Sequence, residues 1–211
     1  MSTLLAIDLD GPLYDDWAAY LAYCKLTEQF LQERGTAVPD DMAAYQKDLR
    51  SKWNVASTGV ALSLEFDMHI DLIAAALYLP IDLDECGVPR DNTSKRAALE
   101  NVDAEKIIIT SSPGAFLAKA IQHLGLEDCF TTLIGCEKMP KGKSNSATFT
   151  DLERQFSQHN RFILIDDSTG NTRAALQAGW EAYYYNPKNA AFTHEDCTSS
   201  GESLEEILRA L

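Results

Sequence analysis

Leu4-Leu5-Ala6-Ile7-Asp8-Leu9-Asp10-Gly11-Pro12 is a short apolar run that breaks into two carboxylates and a Gly-Pro turn. Four consecutive apolar residues read as a fully buried strand. Two carboxylates one residue apart, where such a strand ends, are costly to desolvate unless something cationic pairs with them. A divalent metal together with a phosphorylated substrate meets that need. Taken alone, the fragment reads equally well as an acidic turn, so the rest of the chain has to separate the two readings.

Downstream of Tyr14 the pattern is helical as far as about Pro89. Trp17 to Arg34 places Trp17, Tyr20, Leu21, Cys24, Phe30 and Leu31 at helical intervals, with Gly35 as the stop. Asp40 or Asp41 caps a second helix through Tyr45 and Leu49, and Thr58 to Phe66 and Asp67 to Tyr78 read as two more. The aromatic and Met positions here read as core rather than as a cofactor box.

Beyond this segment strands and helices alternate. Lys106 to Thr110, Cys129 to Ile134, Arg161 to Ile165 and Trp180 to Tyr185 read as strands. Pro113 to Leu124, Ser144 to Gln158, Asn171 to Ala178 and Glu202 to Leu211 read as helices. Apolar strands alternating with helices imply an α/β fold, a Rossmann-like parallel sheet covered on both faces. The helical segment becomes a small all-helical cap over residues 14–90, and residues 1–13 and 91–211 form a discontinuous core.

Ligands of open parallel sheets bind at the carboxyl edge of the strands. Four chemically complementary groups fall at such ends: Asp8 with Asp10, Thr110 with Ser111, Asp166 with Asp167, and the basic loop Lys138 to Lys143. Each suits phosphoryl transfer. A carboxylate can attack phosphorus, a second can donate and take up a proton, and Mg²⁺ prefers hard oxygen ligands. A lysine and hydroxyl donors can stabilise charge on the transferred group.

In these motifs the chain resembles the haloacid-dehalogenase-like (HAD) hydrolase superfamily, with a helical cap inserted after the first strand. The resemblance implies Asp8 as nucleophile and Asp10 as general acid/base. It implies Thr110 and Ser111 as phosphate-binding groups, and Lys143 as the motif lysine, because Phe149 stands six residues after it. Lys138 and Lys141 are the alternatives. Asp166 and Asp167 complete a Mg²⁺ site with Asp8 and Asp10. Trp53-Asn54 through Gly59, Leu62, Phe66 to His69 and Tyr78-Leu79-Pro80 look like the cap of pyrimidine 5'-nucleotidase-like members. That likeness implies a nucleoside 5'-monophosphate substrate. The alternatives are a phosphatase or phosphomutase of another small metabolite, such as a sugar phosphate or phosphoglycolate, and a non-catalytic binding protein on the same scaffold. Pro12, Ser111 and Ser144 depart from the residues the family usually carries at those places.

The chain of 211 residues carries a net charge of -14, which argues against a nucleic-acid polymer as partner and leaves small anionic metabolites open. No apolar run is long enough to span a membrane and Met1-Ser2-Thr3 leads straight into a strand, so the expectation is a cytoplasmic protein. The five cysteines are scattered without metal-type spacing and read as free thiols. In the cap, Arg50, Lys52 and Trp53 read either as contacts to a base or phosphate or as a solvated helix end. His69 and the other histidines read as packing or surface residues.

Overall fold

Asp8, Thr110 and Asp166 share one edge of a parallel sheet in the computed structural model, which describes residues 2–211. The strands are β1 (Thr3–Ile7), β2 (Glu105–Ile109), β3 (Thr132–Ile134), β4 (Arg161–Asp166), β5 (Glu181–Tyr185) and β6 (Ser199–Gly201). Their spatial order is β3-β2-β1-β4-β5-β6, and each neighbouring pair is parallel. Ile7 is in register with Ile108 on one side and Ile165 on the other. That register sets Asp8 between the ends of β2 and β4.

All five residues of β1 are buried because each face of the sheet is covered. Its side chains alternate between two cores, as the period of a strand requires. Leu4 and Ala6 pack with Ile107, Ile109, Phe149 and Trp180 on one face. Leu5 and Ile7 pack on the other, in a core that continues into Leu62, Ile73 and Leu77. This is why the run reads as continuously apolar rather than alternating.

The helices between β1 and β2 are α1 (Trp17–Glu33), α2 (Met42–Trp53), α3 (Thr58–Glu65), α4 (Ile70–Leu77) and α5 (Thr93–Glu100). The remainder are α6 (Gly114–His123), α7 (Ser146–Gln155), α8 (Thr169–Gln177) and α9 (Leu204–Ala210). Helices α1 to α4 pack on one another, and α4 also touches α6. Two polar ties reinforce that contact. Ser57 Oγ donates to the Ser111 carbonyl at 2.8 Å, and Lys119 Nζ donates to the Leu79 carbonyl at 2.8 Å. The Asp41 side chain caps α2 by accepting from Ala44 N at 2.9 Å.

Several boundaries differ from the sequence reading. The helix expected from Asp67 starts at Ile70, because Asp67 turns the chain with φ 50. The strand expected from Cys129 starts at Thr132, since Glu127–Cys129 forms a turn of 3-10 helix. The helix expected over residues 144–158 spans Ser146–Gln155, with Asn145 as its cap. Helix α5 and strand β6 were not anticipated. The first buries only Leu99, and the second, Ser-Ser-Gly, has no apolar residue to signal a strand. Among the described residues no helix is long and apolar enough to cross a membrane.

Phe149 is fully buried and meets Trp180 edge-on with ring centroids 5.0 Å apart. Phe149→Ala should therefore cost about 3–5 kcal/mol, read as a lower urea midpoint with an unchanged slope. Phe149→Leu should cost clearly less, because most of the volume remains.

Candidate active site

Asp8 is the first residue beyond β1, and its N–H donates to the Ile165 carbonyl at 2.9 Å, which continues the ladder past the strand. Its Oδ1 accepts from Leu9 N at 2.8 Å. Its Oδ2 is in contact with the Lys143 ammonium, which also lies 2.7 Å from Asp166 Oδ2. All three side chains are almost wholly out of solvent. Asp166 Oδ1 in turn accepts from Ser168 N and Asn171 Nδ2, each at 2.9 Å. One buried cation thus joins the ends of β1 and β4.

The electrostatics follow from that crowding. Burial pushes the Asp8 carboxyl well above the usual carboxylate range; Lys143 opposes the shift, and Asp166 and Asp10 reinforce it. For Lys143, burial acts to lower its pKa, but Asp166 and Asp8 outweigh burial and the net shift is upward. The ammonium is held charged. Asp167 is exposed by area, yet its carboxylate is crowded enough to be pushed up to about 7, first by desolvation and then by the charge of Asp166.

Asp8, Asp166 and Asp167 each offer an oxygen, and these oxygens lie within 4.8 Å of one another. Three carboxylates against one ammonium leave a negative excess. Hard oxygen donors at this spacing fit a divalent cation of the Mg²⁺ type. Gly11 makes room for the cluster. It takes φ +88, and a Cβ there would stand 2.7 Å from Asp167 Oδ2.

Asp10 contributes no side-chain oxygen to this cluster. Its Oδ1 accepts from the Tyr14 hydroxyl at 2.6 Å, and its Oδ2 accepts from Ser112 Oγ at 3.0 Å and Thr110 Oγ1 at 3.3 Å. Tyr14 is a dependable donor, because burial and the charge of Asp10 raise its pKa well above the usual phenol value. Asp8 and Asp10, neighbours in sequence, therefore have different environments: one is buried against a cation, the other is held by hydroxyls.

Thr110 is fully buried at the end of β2, whereas Ser111 is exposed and its carbonyl receives Ser57. Of the three candidate lysines, only Lys143 enters the cluster. Lys141 is exposed on Asp151 at 2.8 Å, and Lys138 is exposed. Sequence reasoning missed Tyr14, Ser112 and Asn171 as groups that orient the carboxylates. The signal for Tyr14 was its place four residues beyond Asp10, inside a turn closed by Gly11 N on the Tyr14 carbonyl at 3.1 Å.

A cavity of about 240 Å³ opens beside Asp10, between the sheet edge and helices α1 to α4. Tyr20, Tyr23, Tyr78 and Phe116 supply aromatic wall, and Gln46, Arg50, Ser57 and Ser112 supply polar lining. Of the cap residues singled out by sequence, Arg50 lines it. Lys52 and Trp53 do not, since both are tied to Glu65, at 2.6 and 2.7 Å.

No protein-family model matches the sequence, and none of the curated proteins does. Solved structures do match in shape over the whole chain. A 2-haloacid dehalogenase from Pseudomonas syringae pv. Tomato DC3000 is 19% identical with a TM-score of 0.66, covering 100% of this chain and 99% of its own. A HAD phosphatase from Thermococcus onnurineus is 16% identical with a TM-score of 0.64, covering 100% and 97%. The fold is that of the HAD-superfamily hydrolases. These proteins span carbon–halogen and phosphoester chemistry by name, so the HAD-type fold leaves the reaction to be read from the site. A candidate HAD-hydrolase from Bacillus subtilis, described as bound to magnesium, is 17% identical with a TM-score of 0.66, covering 100% and 98%.

Asp167 makes metal-free stability pH-dependent. Its folded pKa of about 7 lies above the value near 4 of an unfolded aspartate, so the folded chain holds more protons between those values. Stability in EDTA should therefore fall as pH rises from about 4 to 7, and Asp167→Asn should flatten that slope. Urea unfolding across this range checks it, and excess Mg²⁺ should raise wild-type stability at pH 7.

Proposed function

We propose that this protein is a Mg²⁺-dependent phosphomonoesterase that acts through an aspartyl-phosphate on Asp8, with a nucleoside 5'-monophosphate as substrate. The observation that carries this reading is the division between the two aspartates. Asp8 sits against a buried ammonium in a cluster fit for a divalent metal, and Asp10 lines a cavity and is held by hydroxyl donors.

In this reading Asp8 attacks phosphorus, and the bond from phosphorus to the ester oxygen breaks. The leaving oxygen takes a proton from Asp10. The resulting Asp10 carboxylate then takes a proton from water, whose oxygen attacks the phosphorus of the aspartyl-phosphate. Asp8 is regenerated and inorganic phosphate leaves. Lys143 holds the Asp8 carboxylate in place and adds positive charge where the phosphoryl group sits, while Thr110 and Ser111 offer hydroxyl and backbone donors to its oxygens. Bound Mg²⁺, held by Asp8, Asp166 and Asp167, would offset the repulsion between an anionic nucleophile and an anionic phosphate.

Asp10 also separates this reading from carbon–halogen displacement. A departing halide needs no proton, so a second aspartate oriented by Tyr14, Thr110 and Ser112 would have no part in that reaction.

Release of inorganic phosphate with Mg²⁺ tests the proposal on uridine, cytidine and purine monophosphates, sugar phosphates and phosphoglycolate. Asp8→Asn should lower release by about 10³-fold or more, and EDTA should suppress it in the wild type. Asp10→Asn should lower it by roughly 10²- to 10⁴-fold. Full activity in Asp8→Asn would overturn the covalent route. A wild type that favours another ester would overturn the nucleotide assignment, and one that releases phosphate from none would overturn the phosphatase assignment itself.

A further inference from the structure

The helical insertion touches the proposed phosphate site through one serine. Ser57 stands at the start of α3 with extended backbone, where a serine usually accepts from the free N–H groups of its own helix. Its side chain makes no such capping bond. It is 6% exposed and turns its hydroxyl to the core instead, donating to the Ser111 carbonyl at 2.8 Å. Among the described residues that hydroxyl is the one partner of the Ser111 carbonyl. The segment that carries Ser57 is firmly built. Asn54 ends α2 in the left-handed region with φ 51, and Val55 N donates to the Arg50 carbonyl at 3.0 Å. Arg50 Nη1 in turn donates to Thr58 Oγ1 at 2.7 Å. Ala56 lies so near Gly142, the residue before Lys143, that a Cβ on Gly142 would collide with it. One short turn of the insertion thus rests on both loops that the proposed mechanism assigns to the phosphoryl group.

The bond to Ser111 falls at a sensitive point. Thr110 N donates to the Ile134 carbonyl at 3.0 Å, and Ser112 N donates to Thr110 Oγ1 at 3.0 Å. The peptide after Ser111 is therefore held at its N–H by Thr110 and at its carbonyl by Ser57. Between these fixed points the Ser111 N–H has no acceptor among the described residues. It stands two residues beyond the end of β2, on the edge where ligands of parallel sheets bind. A fixed N–H without an acceptor there is placed to receive an anionic oxygen.

Building on the phosphomonoesterase reading, we infer that Ser57 is a positioning residue: by holding the Ser111 carbonyl it aims the Ser111 N–H at a phosphoryl oxygen. The hydroxyl acts through the peptide and not on the substrate, so its effect is the same whatever alcohol the ester carries. Ser57 belongs to the insertion, and separating α1 to α4 from the sheet edge breaks the bond. The phosphate loop is fully set only while the insertion is seated.

Two measurements on the Mg²⁺-loaded protein test this. One is NMR of the Ser111 amide during titration with inorganic phosphate. The other is steady-state hydrolysis of uridine 5'-monophosphate, adenosine 5'-monophosphate and ribose 5-phosphate. In the wild type the Ser111 amide proton should move downfield as phosphate binds. Ser57→Ala should shrink that movement and weaken phosphate binding roughly 3- to 10-fold, the worth of one net hydrogen bond. It should lower kcat/KM by a similar factor on each of the esters. Ser57→Thr keeps the hydroxyl and should recover most of both losses. A loss confined to one ester would mean that Ser57 touches the alcohol part, since it also lines the cavity, and overturns the inference. No loss in Ser57→Ala overturns it as well. The NMR arm separates this inference from the reaction it rests on. A Ser111 response that weakens in Ser57→Ala and returns in Ser57→Thr supports it even if no ester is hydrolysed. A wild-type Ser111 amide that ignores phosphate overturns it even if phosphate is released.

Discussion

One buried ammonium organises the carboxyl edge of the sheet in this protein. Lys143 lies between Asp8 and Asp166, and each of the three would be untenable there without the others. A charge removed from water loses several kcal/mol of hydration, which only close opposite charge and hydrogen bonds can offset. The Asp166 oxygens are satisfied by Lys143, Ser168 and Asn171, so the loop after β4 is ordered by the same carboxylate that faces the lysine. The cluster still carries more negative than positive charge, and that imbalance makes it receptive to a divalent cation.

The sheet makes the cluster possible. Parallel strands point their carboxyl ends the same way, and β1 lies between β2 and β4, so three separate segments deliver polar groups to one place. The continuous apolar character of β1 anchors it in both cores, which lets its next residues tolerate a charged neighbourhood. Gly11 then lets the chain turn against Asp167 without collision. Beyond it, Tyr14 holds Asp10 away from the cluster and toward the cavity under α1 to α4. Two aspartates one residue apart thereby acquire different environments, from which different chemistry follows.

Much of the site was legible because its residues announce themselves. Asp8 with Asp10, and Asp166 with Asp167, stand at the ends of strands of high apolar content, and although one such pair alone reads equally well as an acidic turn, several complementary groups at the same edge do not. Lys143 was singled out only by the resemblance, which implies an aromatic residue six positions after the motif lysine, and that residue, Phe149, is fully buried in the core. Ser112 and Asn171 were not legible, because a hydroxyl or an amide in a loop has many uses and only its partner reveals which applies. Helix α5 and strand β6 escaped for a simpler reason. Neither presents the run of buried side chains from which periodicity is read.

The sequence by itself determined the layered parallel sheet, the helical insertion after β1 and the identity of the charged residues at the sheet edge, because these depend on local hydrophobic period and on the cost of burying charge. The tertiary structure decided which carboxylates share the lysine, which one stands apart, and that Arg50 faces a cavity while Lys52 and Trp53 are tied to Glu65. Those outcomes depend on distances between segments more than a hundred residues apart, as Asp8 and Lys143 are, and only the packed sheet sets such distances.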